Sequence, residues 1–334
     1  MQRQVYEYHP VFGYRFIPGL KARIEHEAGG YLMRINQAGF RCEREVQAAR
    51  TPGRSRVLLF GDSFSAGDGV SNKQRYGDLL EELVPNVEVF NFALSGSGTD
   101  QQYLIHREHA PGIEHDLVVI AVLVENIRRV AARYRQYATL DGQELVLAKP
   151  YFELSADGEL TLRHVPVPKE PIPEASLGEE RDEVDRGGRF EWLRSTVNRL
   201  GPTVKDLAQR VSRYQPLPHY DSPDHDDWRL LRAILSRWIA ECRATVVLFP
   251  LPVYQYVEDS ASPDGYRARF EELARDTGAT LHDPLPDLRS FPLAERRSFR
   301  FEVDCHPTPK AHRILAESLA PTVRALLAKS EARS

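Results

Sequence analysis

The chain has 334 residues, 42% of them hydrophobic and 28% charged, with 44 basic against 48 acidic side chains and a formal net charge of −4. That length can bury a sizeable core, as one large α/β domain with an insertion or as two small domains, without covalent staples. The charge balance excludes a polyanion-binding protein: arginines are scattered among acids, as in RRVAARYRQY and EERDEVDRGGR, so a solvated surface and no nucleic-acid partner are expected.

The first residues, MQRQVYEYHPVFGYRFIPGL, show neither the apolar core of a signal peptide nor a small-residue cleavage site. No later run approaches the roughly 18 apolar residues of a membrane span, so the expectation is a cytoplasmic protein with no membrane partner. Residues 1–53 mix aromatic, glycine and charged residues without clear period and end in the polar TPGRSR. They are read as an N-terminal extension packed on the domain that begins at residue 54. Cys42, Cys242 and Cys305 are odd in number and widely spaced, with no Cys-x-x-Cys pair, and are read as reduced thiols.

RVLLFG at 56–61 is a nearly continuous apolar run, which predicts a buried parallel strand. It leads directly into Gly61-Asp62-Ser63 and the glycine-rich turn of VLLFGDSFSAGDGV. Asp62 and Ser63 alone serve equally well as helix caps, and the Gly-x-Ser-x-Gly elbow of other hydrolases is missing because position 65 is Ser. RYGDLLEELV predicts a helix, VEVFNFAL at 87–94 the second strand, and TDQQYLIHREHA the next helix. Between the last two lies NFALSGSGTDQQ, where Gly96 and Gly98 would let backbone N–H groups approach a ligand or simply form a tight turn. DLVVIAVLV at 116–124 is the third strand; after it, Asn126 either donates a side-chain amide or caps a helix.

Residues 138–225 interrupt the strand-helix rhythm and are too long for a simple crossover, which marks an insertion able to form a lid. The insertion contains a predicted hairpin, QELVLAKPYFELSADGELTLRHV, with its turn at Asp157-Gly158. The Pro-rich VPVPKEPIPEASLGEE, an amphipathic helix FEWLRSTVNRLGPTVKDLAQRV and the polar YDSPDHDD follow. Its aromatic residues Tyr151, Phe152, Trp192, Tyr214 and Tyr220 are either its own small core or a surface for stacking a sugar. TVVLFPL at 245–251 and ATLHDP at 279–284 are the fourth and fifth strands. WRLLRAILSRWIAECRA precedes the fourth, GYRARFEELARDTG separates the two, and TPKAHRILAESLAPTVRALLAK follows the fifth. Strand and helix in alternation predict a doubly wound α/β sheet whose chemistry sits at the carboxyl ends of the strands.

FEVDCHPTPKAHRILAESLA supplies Asp304 and His306 just before the last helix, with His312 inside it as the alternative base. A serine hydroxyl attacks only when a histidine takes its proton and a third group orients that histidine. No cofactor or metal is implied. His106 and His109 lack a nearby third ligand, SPDHDDW around His225 is read as a solvated acidic turn, and GSGT lacks the Gly-Lys-Ser/Thr of a phosphate loop.

In combination, Gly61-Asp62-Ser63, Gly96 in NFALSGSG, Asn126, and Asp304 with His306 resemble the four blocks of the SGNH (GDSL-type) hydrolases, over about residues 54–328. The resemblance implies a three-layer α/β/α, flavodoxin-like domain at 54–330 built on a five-stranded parallel sheet, with the insertion after the third strand. It implies Ser63 as nucleophile, His306 as base, Asp304 as its orienter, and the Ser63 N–H, Gly96 N–H and Asn126 amide as oxyanion hole. The third block departs from the usual Gly-x-Asn-Asp: counting from Asp116 puts Glu125 on the Asn position, and because a carboxylate cannot donate, Asn126 is taken instead. The implied function is a serine esterase acting on a small-molecule or carbohydrate ester, O-acetyl groups among them. An acyltransferase using the same acyl-enzyme and a non-catalytic glycan-binding protein of the same fold stand as alternatives.

Overall fold

The computed structural model describes residues 4–138, 144–178, 184–185 and 215–331, so the helix expected at 190–211 lies outside the described residues. The chain opens with two antiparallel hairpins, β1 (Tyr6–His9) with β2 (Gly13–Phe16) and β3 (Lys21–Ile24) with β4 (Tyr31–Arg34). Their strands have only four residues each, too few for the sequence pattern to show a period. Phe12, Phe16, Met33 and Phe40 are nonetheless buried in the main hydrophobic core.

The central sheet is made by the five apolar runs: β5 (Ser55–Phe60), β6 (Val87–Asn91), β7 (Leu117–Leu123), β13 (Thr245–Leu251) and β14 (Thr280–Leu281). Every pairing is parallel, and the order is β14-β13-β7-β5-β6. Leu58 pairs in register with Phe90 on one side and Val118 on the other. All seven residues of β7 are buried, as expected of a parallel strand covered on both faces. Between β5 and β6 lie α1 (Ser63–Ala66) and α2 (Tyr76–Leu83); α3 (Thr99–His109) links β6 to β7, and α4 (Asn126–Ala131) follows β7. Further on are α5 (Asp226–Glu241), α6 (Asp264–Thr277) and α7 (Pro309–Glu331).

The crossover from β5 to β6 runs one way along the sheet and the later ones run the other way. Right-handed connections therefore place their helices on opposite faces. Accordingly α2 packs on α7, while α3 and α4 pack on α5 and α5 on α6. This is the expected three-layer α/β/α arrangement in flavodoxin-like order. It puts the switch point between β5 and β7, where ligands bind in such sheets. No described helix is long and apolar enough to cross a membrane.

Beyond β7, extra strands start earlier than the expected boundary at 138. β8 (Tyr134–Ala138) pairs antiparallel with β9 (Glu144–Ala148) and parallel with the short β12 (Val184–Asp185). The hairpin with its turn at Asp157-Gly158 is present as β10 (Tyr151–Leu154) and β11 (Leu160–Arg163). Tyr151, Phe152 and Tyr220 are buried, so these rings are packing residues; Trp192 and Tyr214 lie outside the described residues. His225, read as part of a solvated turn, caps α5 through Nδ1, which accepts the Asp227 N–H at 3.2 Å.

Candidate active site

The site is assembled where β5, β6 and β7 end. Gly61 is required there by close approach, since a Cβ on it would stand 2.3 Å from Ser65 Oγ and only glycine lets the chain double back. Asp62 is the N-cap of α1, accepting the Phe64 N–H at 3.1 Å, and Ser63 is the first helical residue, 4% exposed. The cap and the candidate nucleophile are thus different residues of the same motif. Burial pushes the Asp62 carboxyl up, against the Arg129 guanidinium 3.1 Å away.

Arg129 also donates to Asn126 Oδ1 at 2.9 Å and to the Ser97 carbonyl at 3.3 Å, so one guanidinium ties together the ends of β5, β6 and β7. Asn126 is fully buried, and its Oδ1 is taken up by Arg129. Among the described residues its Nδ2 makes no hydrogen bond of sound geometry, although the amide is close enough to Asp62 to help hold that charge. Glu125 instead turns to Arg128, 3.4 Å away. The strand ends at Leu123 and α4 begins at Asn126, so Glu125 lies in the link between them and Asn126 opens the helix.

Gly96 has a φ of +80°, and a Cβ on it would stand 2.4 Å from the Arg135 guanidinium. Among the described residues no backbone carbonyl accepts the Gly96 N–H. The Tyr14 hydroxyl, from β2, donates to the preceding Ser95 carbonyl at 2.9 Å, and Ser95 Oγ donates to Asp68 at 2.6 Å.

From the other end of the chain, the His306 ring comes to 5.4 Å from the ring of Phe64, the residue after Ser63. Its Nδ1 is hydrogen-bonded to Asp304 Oδ1, and the side chain remains 19% exposed. Burial works against charge on His306, but the bond and charge of Asp304, with Asp68 and Asp62 behind it, push the imidazole up to about 9. Burial would raise Asp304 too; hydrogen bonds from His306 and His26 instead hold it down at about 2. The rival His312 is fully buried on α7, accepts the Tyr76 N–H at 3.3 Å and is pushed down to about 3 by burial and by Arg75 and Arg41. It is a core residue. His106 and His109 likewise pack inward, His106 against Cys242 Sγ at 3.5 Å and His109 on the Phe92 ring.

Two supports were not visible in the sequence. Arg41, fully buried, donates to the carbonyls of Ala66, Gly67, Val70 and Leu32 and to Asn72 Oδ1, cross-linking the turn after Ser63. Lys149, buried at the end of β9, pairs with buried Asp100 and donates to the Arg129 and Ala132 carbonyls at 2.9 and 3.0 Å. The only signal for either is a charge within a short apolar context, which any amphipathic surface also produces.

An open apolar cleft, about 460 Å³ including its mouth, lies beside the site. Phe64, Leu251, Tyr254 and Val257 line it together with Cys305 and Pro307, the two neighbours of His306.

The sequence matches the profile of the GDSL-like Lipase/Acylhydrolase family over residues 59–314. Among similar solved structures is an acetyl xylan esterase, AlAXEase, with 15% identity over 80% of this chain and 99% of that one and a TM-score of 0.44. The lipase/acylhydrolase from Enterococcus faecalis gives 13%, 81%, 96% and 0.43 in the same order. The psychrotrophic esterase EstA from Pseudoalteromonas sp. gives 14%, 82%, 98% and 0.41. No curated protein matches the chain.

Proposed function

The chain belongs to the GDSL-like lipase/acylhydrolase family, and on that premise we propose that it is a serine esterase working through Ser63, His306 and Asp304. The observation that carries this reading is the His306–Asp304 pair, hydrogen-bonded and set against the residue that follows Ser63. With Nδ1 committed to Asp304, His306 offers Nε2 as the base.

In the proposed reaction, Ser63 Oγ attacks the ester carbonyl while its proton passes to His306 Nε2. The carbonyl oxygen, now negative, is held by the Ser63 and Gly96 N–H groups and by Asn126 Nδ2, the buried donor still without a sound partner among the described residues. The C–O bond to the alcohol then breaks and His306 returns the proton to the departing oxygen, leaving acyl-Ser63. Water attacks this ester, giving its proton to His306; the tetrahedral adduct then collapses to the free acid as the C–Oγ bond breaks and His306 returns the proton to Ser63 Oγ. Asp304 keeps its charge throughout and stabilises the imidazolium.

The mostly apolar cleft beside Phe64 and Cys305, which Glu258, Arg296 and Arg300 also border, supports an acyl group with an apolar chain, and we assign the substrate class as O-acyl esters, O-acetyl among them, of a carbohydrate or small metabolite. A screen of aryl esters of two to eight carbons and of acetylated sugars, run on wild type and Ser63→Ala in parallel, tests the assignment. Ser63-dependent release of free acid is the expected result. An acylated acceptor in place of free acid would make the protein a transferase, and no Ser63-dependent product from any ester would sink the reading.

A further inference from the structure

The carboxylate that orients His306 is held from outside the core α/β unit. The loop between β3 and β4 reaches across to residues 301–306 and touches them at both backbone and side chain. His26 Nε2 lies 3.0 Å from Asp304 Oδ2, the oxygen that His306 leaves unused. The tautomer follows from the other nitrogen: His26 Nδ1 accepts the Ala28 N–H at 3.3 Å, which leaves the ring proton on Nε2, facing Asp304.

Glu27 completes the grip. Its carboxylate accepts the Asp304 N–H at 2.7 Å and the Val303 N–H at 3.1 Å, fixing the backbone that carries the acid. The His26 ring also stands edge-on to Phe301 at 4.4 Å, and its side chain is only 9% exposed. The loop itself is held closed by Arg23, which donates to the Gly29 carbonyl at 2.7 Å.

We propose that His26 is a positioning residue of this active site, donating to Asp304 so that the acid presents its other oxygen to His306, with Glu27 anchoring the same loop. The residues before 54 are on this account part of the catalytic apparatus, and the inference rests on the esterase reading only for its kinetic consequence. A carboxylate on a surface loop has rotational freedom of its own. The His26 donor on Oδ2 and the Glu27 carboxylate that accepts the backbone N–H groups remove that freedom before substrate arrives, which is how outer residues hold reacting groups to sub-ångström tolerance.

The test compares His26→Phe, which keeps the ring packing and removes the donor, with His26→Gln, whose amide nitrogen is the same number of bonds from Cβ as Nε2. Two signals are read: turnover of an aryl acetate, and the low-field proton resonance of His306 Nδ1–H. His26→Phe is expected to lower kcat about ten- to hundredfold with KM little changed, and to broaden the resonance or move it upfield. His26→Gln is expected to restore most of both. Should His26→Phe not fold, Glu27→Ala, at an exposed position, is expected to change both signals in the same direction by a smaller factor.

Wild-type kcat together with an unchanged resonance in His26→Phe, or in Glu27→Ala where that stands in, would overturn the inference. Because the resonance reports the His306–Asp304 bond whether or not esters are turned over, a protein inactive on every ester fails the esterase reading while the positioning role is still judged.

Discussion

The ring of His306 stands 5.4 Å from that of Phe64, although 242 positions separate the two in sequence. The parallel sheet makes the meeting possible, because the loops after its first and fifth strands emerge at the same edge. Consequences for the oxyanion, the base and the supporting ion pair follow from that arrangement.

Asn126→Ala should lower kcat/KM about a hundred- to thousandfold, the cost of one oxyanion donor, whereas Glu125→Gln should change it less than about twofold. Steady-state hydrolysis of an aryl acetate measures both. The contrast follows from Asn126 Nδ2 lying buried beside Asp62 while Glu125 turns to Arg128. A large effect at Glu125 with none at Asn126 would restore the register obtained by counting from Asp116.

In the proposed mechanism His306 must be neutral to accept the Ser63 proton, and its environment holds it up at about 9. The pH profile of kcat/KM should therefore rise about tenfold per unit on its acid side and level off near pH 9. Stability should move the other way. A histidine raised in the folded state contributes most below its ordinary value of 6.5 and loses that contribution as pH passes through about 9. Thermal unfolding from pH 6 to 10 should show a Tm that falls over the interval in which activity climbs; a plateau in activity near 6.5 would show that Asp304 does not hold the imidazolium.

Lys149→Met leaves Asp100 buried without its cation and is expected to cost about 3–5 kcal/mol in denaturant unfolding. Adding Asp100→Leu should recover much of the loss, since no buried charge then remains. Because Lys149 also binds the Arg129 carbonyl, the single variant should lower kcat as well. A Lys149→Met protein as stable as wild type would mean that the pair is solvated.

How much of this was legible in the sequence depended on how far each signal was local. Four of the five strands were readable because burial on both faces makes them nearly continuous apolar runs, as in LVVIAVL of β7, whereas β14 is a half-buried pair, Thr280–Leu281. The motifs proposed for the site stood out because a strand end followed by a small or polar motif is a short pattern. By contrast, β8 has the sequence YRQYA, in which two adjacent polar residues break any alternation and the surrounding arginines disguise the strand as surface. The roles of His26 and Glu27 were unreadable for a different reason: both act on a loop 276 or more positions away, and no spacing rule connects them to it.

Covalent labelling with a fluorophosphonate, followed by intact mass and peptide mapping, tests the central claim most directly. One adduct on Ser63 in wild type, none in Ser63→Ala and strongly slowed labelling in His306→Ala is the predicted result. A folded wild type that takes no label, or a Ser63→Ala variant labelled at the wild-type rate, would contradict it.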